Sequence, residues 1–233
     1  MLLLDQICVK QLQNNLWYRH LPAMFQQFIL TQSHLVSFDK EQTIFASGDL
    51  FNGLYAVLQG SIRLCHTDIN GMQAVAAIVN PIMWFGEISM VDQQPRSHHA
   101  IATQKSVVLH IAADRIQQLL LEHPQFWFHI AQLTSQKLRF AFLELIAIQT
   151  QTMTQRLAQR LIFILNGYGN HIQIEHNHID LSQEQLAQML ICSRQTINQE
   201  LQALEKMGVL KSSFKQIEVL DYAQLHALAQ DDG

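Results

Sequence analysis

The sequence predicts an α+β fold with a β-rich N-terminal half, one long helix and a mainly helical C-terminal domain, and three observations predict it. Short apolar runs separated by turn residues fill the chain from His34 to Ile111. A stretch from Gln125 to about Gln151 then contains no Gly or Pro, which is the composition of an unbroken helix. Beyond it, helical periodicity dominates and β-signals are brief.

Taken in order, helical patterns at Asp5 to Leu12 and Pro22 to Leu30 precede the strands. The strands are His34 to Phe38, Thr43 to Ala46, Leu54 to Leu58, Ser61 to His66, Ala74 to Val79, His99 to Thr103 and Val107 to Ile111. Ser47-Gly48-Asp49, Gln59-Gly60 and Asn70-Gly71 separate them, the last suited to a tight hairpin turn. Regular short strands with glycine turns point to a β-sandwich or β-roll. Asp114 to Leu121 reads as a helix, and Pro124 fits the first turn of the long one. Along that helix Thr134, Leu138, Ala141, Leu145, Ile148 and Thr152 alternate at spacings of four and three, as a helix seam does. Either the stripe packs on the chain's own β-domain or it pairs with a second copy. The second reading is favoured, with Leu138, Ala141, Leu145 and Ile148 as the seam, because Phe140, Phe142, Leu143 and Ile146 supply a further apolar surface. The polar run Gln149-Thr150-Gln151-Thr152 marks a boundary before the helix Thr154 to Leu165, and Ile172 to Ile174, Val209-Leu210 and Gln216 to Leu220 are the later β-signals.

Composition narrows the function. With 48% apolar and 15% charged residues in 233, the chain folds rather than staying disordered. A net charge of -4 gives no bulk attraction to nucleic acid or anionic lipid, so any such binding uses a local patch. No apolar run approaches the roughly 20 residues of a membrane span. Cys8, Cys65 and Cys192 form no CxxC pair, which fits a reducing cytoplasm and excludes a disulfide framework.

The chemistry concentrates in two helices joined by a very short turn, Asp180 to Leu201. Ser182 caps the first, whose apolar face is Leu186, Met189 and Leu190, with Ala187 allowing close approach; Ser193 caps the second, with Ile197, Leu201 and Leu204 inward. Arg194, Gln195, Asn198 and Gln199 then face outward near the helix start. Arg forks onto guanine O6/N7, and Gln or Asn pairs with adenine N6/N7. Ser193 and Thr196 add phosphate contacts at the positive end of the helix dipole. Val209-Leu210 and Gln216 to Leu220 flank Lys211-Ser212-Ser213-Phe214-Lys215, a wing whose Lys211 and Lys215 track a phosphate backbone. From Gln151 onward there are six basic against nine acidic residues, so spacing and side-chain type, not charge, carry this duplex-DNA reading.

Here the chain resembles the Crp/Fnr family of bacterial transcription regulators over nearly its whole length. The motifs are Phe85-Gly86-Glu87, Pro95-Arg96-Ser97, Arg156-Leu157-Ala158 and Cys192-Ser193-Arg194-Gln195-Thr196. The resemblance implies an effector-sensing β-roll of cyclic-nucleotide-binding type over 1–123, a dimerisation helix over 124–151 and a winged helix-turn-helix domain over 152–233. It also implies a homodimer, base reading by Arg194, Gln195 and Gln199, and RNA polymerase as a partner. Gln195 and Gln199 stand where the cAMP receptor protein carries charged residues, so its operator does not transfer, and Ile191 stands where the turn commonly has Gly.

For the effector, Glu87 suits a ribose hydroxyl, Arg96 a cyclic phosphate, and Gly86 and Ser97 complete a cradle, with Phe142 able to stack on a base. Ala141 and Phe142 replace two hydroxyl side chains of the cAMP receptor, and His98-His99 are bulky after Arg-Ser, so a cyclic nucleotide, another small anion and no ligand all stay open. In the last case Glu87 and Arg96 form a structural ion pair. One alternative is a metal-dependent enzyme of cupin type using His171, Glu175, His176 and His178, with His98-His99. Surface histidines on a hairpin account for that group more simply, and no catalytic or metal-ligating set is assigned.

Overall fold

The computed structural model describes residues 6–67, 69, 73–169, 177–213 and 215–230. The hairpin tip at Asn70-Gly71, the Ile172 to Ile174 signal, Phe214, and His171, Glu175 and His176 lie outside the described residues. The chain divides after Lys137 into two compact units.

The first unit opens with α1 (Gln6–Gln13), α2 (Leu16–Arg19) and α3 (Ala23–Gln32). Eight strands follow: β1 (Ser33–Phe38), β2 (Thr43–Phe45), β3 (Gly53–Gln59), β4 (Ile62–Thr67), β5 (Gln73–Val79), β6 (Trp84–Phe85), β7 (His99–Ala102) and β8 (Ser106–Ala112). They form two antiparallel four-stranded sheets, in the orders β1-β8-β3-β6 and β2-β7-β4-β5. Apart from the β4-β5 hairpin, every neighbouring pair joins strands distant in sequence, the crossed connection expected of a roll. α4 (Ile88–Asp92) interrupts the strands, and α5 (Ala113–Glu122) follows them.

Apolar burial holds this unit together. Trp17, Phe25, Ile29, Trp84, Leu109, Ile111, Ile116 and Ile130 belong to one core cluster that joins the N-terminal helices, the first sheet and α5. Asn15 is fully buried because its side chain is spent twice, capping α2 at Tyr18 N and donating to the Ile82 carbonyl at 2.8 Å. A 3-10 turn, Pro124–Phe126, leads into α6 (Trp127–Thr150), so the proline occupies the tighter turn and the α-helix starts after it.

The second unit comprises the end of α6, then α7 (Met153–Leu165), β9 (His178–Ile179), α8 (Gln183–Leu190), α9 (Arg194–Lys206), β10 (Leu210–Ser213), β11 (Gln216–Val219) and α10 (Tyr222–Gln230). The sheet order is β10-β11-β9. Leu157, Leu161, Leu186, Ile197, Leu201, Leu204, Val209 and Leu225 are buried. Among the elements the sequence did not signal, β6 and β9 have two residues each, too few for an alternating pattern.

A candidate effector cavity and a candidate nucleic-acid interface

The motif residues of the first unit converge. Gly86, Glu87, Arg96, Ser97, His98 and Lys137 line one cavity of about 50 Å³, floored by Phe45 and Leu64. Gly86 has φ +95, and a Cβ there would stand 3.1 Å from Arg96 Nη1, so this position needs glycine for both backbone conformation and space.

Arg96 is 3% exposed and does not pair with Glu87. Its Nη1 donates to the Gly86 carbonyl at 2.6 Å, and its Nη2 donates to Asn52 Oδ1 at 2.6 Å and the Gly53 carbonyl at 2.8 Å. The guanidinium lies over the Phe45 ring at 4.2 Å and near Phe51 at 5.1 Å. Glu87, 1% exposed, instead pairs with Lys137, Nζ to Oε2, at 2.6 Å. The Glu87–Arg96 ion pair of the no-ligand reading is therefore replaced by two separate arrangements: two carbonyls and an amide oxygen take the terminal N–H groups of the arginine, and a lysine from α6 takes one oxygen of the carboxylate. Neither Lys137 nor Asn52 belongs to a sequence motif, and partners fifty and forty-four positions away leave no local signal.

Three polar atoms at this site have no hydrogen-bond partner among the described residues: Glu87 Oε1, Arg96 Nε and His98 Nε2. Burial lowers the Arg96 pKa from its ordinary value, opposed by Tyr55, Glu87 and Asp49. Burial also pulls His98 below the usual histidine range, against Glu87, with Lys137 and Arg96 adding to the depression. Ser97 is exposed, and its Oγ meets His98 Nδ1 at 2.9 Å. Phe142 does not line this cavity and is 56% exposed.

In the second unit, Ser182 caps α8 with a reciprocal capping box involving Gln185, and Ser193 caps α9 through a bond from Thr196 N at 3.0 Å. Between them Ile191 takes the left-handed conformation, φ 54 and ψ 52, while Cys192 N bonds the Ala187 carbonyl at 3.0 Å. The β-branched residue thus accepts the backbone geometry for which the turn usually employs glycine, at roughly 1–2 kcal/mol of strain. Arg156 Nη2 donates to the Leu190 carbonyl at 2.7 Å and Arg160 Nη2 to the Met189 carbonyl at 3.3 Å, so α7 occupies the carbonyl end of α8 with positive charge. Arg160 also pairs with Glu144 of α6 at 2.7 Å. These contacts fix α8 and, through the short turn, the start of α9.

On α9, Arg194, Gln195 and Gln199 are exposed, and Thr196 and Asn198 are half-buried. Asn198 differs from its neighbours, since its Oδ1 accepts from Gln183 Nε2 at 3.2 Å. Lys211 and Lys215 are exposed on the wing, with Lys211 opposite Glu218 in the strand pair. On α6, Leu138, Leu145 and Ile148 are 49–55% exposed and Ala141 is exposed, while Phe140 packs against Phe163 with ring centroids 4.8 Å apart. The apolar stripe is therefore not consumed within the chain's second unit. His178 is exposed, and among the described residues no three His, Cys, Asp or Glu side chains form a metal-holding group. No helix among the described residues is long and apolar enough to cross a membrane.

Comparison with known proteins agrees with this division. The cyclic nucleotide-binding domain family matches residues 35–123, and the Crp-like helix-turn-helix domain family matches residues 155–228. A curated relative, the cyclic AMP receptor protein of Thermus thermophilus, is 32% identical over 187 residues, covering 80% of this chain and 83% of its own. FixK2 from Bradyrhizobium japonicum superposes with a TM-score of 0.75 at 19% identity, covering 86% of this chain and 99% of that one. The c-di-GMP-responsive global regulator CLP of Xanthomonas campestris gives a TM-score of 0.64 at 19% identity, covering 85% and 99%.

Proposed function

This chain belongs to the Crp/Fnr family of transcription regulators, and from that premise we propose that it reads operator DNA as a homodimer under the control of a small anionic effector. The observation that carries the DNA reading is the start of α9, where Arg194, Gln195 and Gln199 are exposed on a helix whose own cap is already satisfied by Ser193. Residues 152–233 read the duplex in this proposal, 124–151 pair the two copies through Leu138, Ala141, Leu145 and Ile148, and 1–123 sense the effector. Two copies present two such helices to half-sites about one helical turn apart. Ser193 and Thr196 anchor the phosphates at the helix start, and Lys211 and Lys215 do so from the wing. The protein acts in the cytoplasm by recruiting or blocking RNA polymerase, with no catalytic step of its own.

For the effector, a buried guanidinium with no carboxylate partner and an unpartnered Glu87 oxygen beside one cavity favour an anion that also carries a hydroxyl donor. A cyclic nucleotide satisfies both demands. The cavity of about 50 Å³ is well below the roughly 300 Å³ of ordinary ligand pockets, so a nucleotide enters only if Lys137 leaves Glu87. Lys137 stands on α6, the helix whose next residue is the first seam position, which gives ligand entry a mechanical consequence. A second reading rests on the same ion pair: Lys137 serves as a built-in substitute for a ligand, and the regulator works without one.

Selection of bound fragments from random DNA, with and without cAMP, cGMP and cyclic dinucleotides, tests the proposal. Calorimetry on wild type and Lys137→Ala separates the two readings. Tighter nucleotide binding by the variant supports a displaced lysine; no binding to either protein, with high operator affinity, supports the ligand-independent regulator.

A further inference from the structure

Resting on the DNA reading proposed above, we infer that Gln183 sets the base preference of Asn198 by holding its carboxamide so that only the amide N–H groups face the duplex. A carboxamide recognises adenine by offering a donor and an acceptor together, to N7 and N6. Its oxygen and nitrogen diverge from one carbon, so the two must be turned toward the same base edge. In this structure Asn198 Oδ1 is turned toward α8, where it accepts from Gln183 Nε2 at 3.2 Å. The opposite prong, Nδ2, donates to no group among the described residues. Gln183 is the first residue of α8, directly after the capping residue Ser182, and Asn198 lies on the second turn of α9. Both ends of the clamp therefore rest on elements already fixed by caps and by the Arg156 and Arg160 contacts to α8.

The surroundings favour a base over a phosphate. Asn198 lines a cleft of about 630 Å³ between α8, α9 and the wing. Arg194 and Lys215 border it, but so do Glu184 and Glu205, so no net positive charge draws a phosphate to Asn198. A donor-only side chain suits guanine O6/N7 or thymine O4 and matches adenine poorly, since adenine N6 then meets a second donor. Gln195 and Gln199 make no comparable bond among the described residues and keep both prongs for adenine. Gln195, Gln199 and Asn198 thus divide into two readers of paired donor-acceptor edges and one reader of acceptors.

The test is selection of duplexes from a random pool by the full-length wild type and by Gln183→Ala, Gln183→Glu and Asn198→Ala, each first shown to melt like the wild type. One net hydrogen bond corresponds to roughly a three- to tenfold preference at one base position. The wild type is expected to select guanine or thymine there, and Asn198→Ala to lose the preference. Gln183→Ala is expected to admit adenine to within about twofold of those bases, because a freed carboxamide turns either prong outward. Gln183→Glu has an acceptor-only neighbour, which draws Nδ2 inward and points Oδ1 out, so preference shifts toward cytosine N4 or adenine N6. A Gln183→Ala profile equal to the wild type's, with Asn198→Ala altered, overturns the clamp. An Asn198→Ala profile equal to the wild type's overturns base reading by Asn198 while leaving the DNA reading intact. A wild type that selects no sequence brings down the DNA reading and this inference with it.

Discussion

Arg96 and Arg194 show the same side chain put to opposite uses in the two units. Arg96 is buried, lies over aromatic rings and gives its terminal N–H groups to two carbonyls and an amide oxygen of the chain itself. Arg194 is exposed at the first position of α9 and has no hydrogen bond or ion pair among the described residues. The first is a structural member that also faces a cavity; the second takes no part in the internal bonding of the described residues. A group already bonded internally cannot be removed without leaving its acceptors buried and unpaired, whereas an unspent group costs folding nothing. The two units should therefore separate stability from binding when the corresponding arginines are deleted.

The largest effect is expected from Arg96→Ala. It orphans the buried Gly86 and Gly53 carbonyls, each at about 1–3 kcal/mol, while Asn52 Oδ1, on an exposed residue, returns to water, so loss of at least about 2 kcal/mol is expected in urea denaturation of the first unit. A loss under about 1 kcal/mol would mean that water replaces the guanidinium freely and that this network does not organise the cavity.

Arg194→Ala is the counterpart. Its denaturation midpoint should stay within about 0.5 kcal/mol of wild type, while specific DNA binding weakens by about 1–3 kcal/mol and one base position relaxes. Equal losses for specific and random duplex would reassign Arg194 to a phosphate and blur the contrast with Arg96 into a difference of exposure alone.

Legibility in the sequence follows the same division. The helix-turn-helix was readable because its determinants are local: Ser182 and Ser193 cap the helices as their spacing predicts, and Leu186, Ile197, Leu201 and Leu204 are buried at the predicted period. Gln183 is not legible in this way, because an exposed-looking polar residue at a helix start carries no sign of a partner fifteen positions on. In the cavity, Gly86, Glu87, Arg96 and Ser97 were marked by their motifs, yet the partners that decide their chemistry were not. Lys137 arrives from α6 and Asn52 from the position before β3, and no periodicity encodes which distant lysine reaches which carboxylate.

A smaller effect sharpens the contrast at the turn. Ile191→Gly removes the left-handed strain of roughly 1–2 kcal/mol, offset by glycine's greater freedom in the unfolded chain. A net gain of up to about 1 kcal/mol in the stability of the second unit is expected. The side chain is 78% exposed, so little burial is lost with it. A melt unchanged or lowered by the substitution would show that the isoleucine side chain supports the turn in a way the backbone geometry does not reveal.

The smallest effect is a divergence of the two units with pH. In the first unit, burial lowers the pKa of His98 and of His110 from 6.5, with His34 and Arg96 adding to the depression at His110 and the Asn52 carbonyl opposing it. The unfolded chain then takes up protons first as pH falls past 6.5, so the stability tied to the neutral rings is full above that value and is lost progressively below it. In the second unit burial raises Glu144 from 4.5, against the pull of Arg160 and Arg156. There the folded form holds its proton more tightly, so that contribution is full below 4.5 and fades as pH rises through the folded value. Urea midpoints read separately for the two units should therefore part on acidification from about pH 7.5 to about pH 5.5, the first falling relative to the second. Both imidazoles are partly solvent-accessible, which keeps the change small. Phenylalanine at position 98 or 110 should flatten the fall in the first unit; parallel midpoints in wild type across that range would show that neither ring is neutral for reasons of burial.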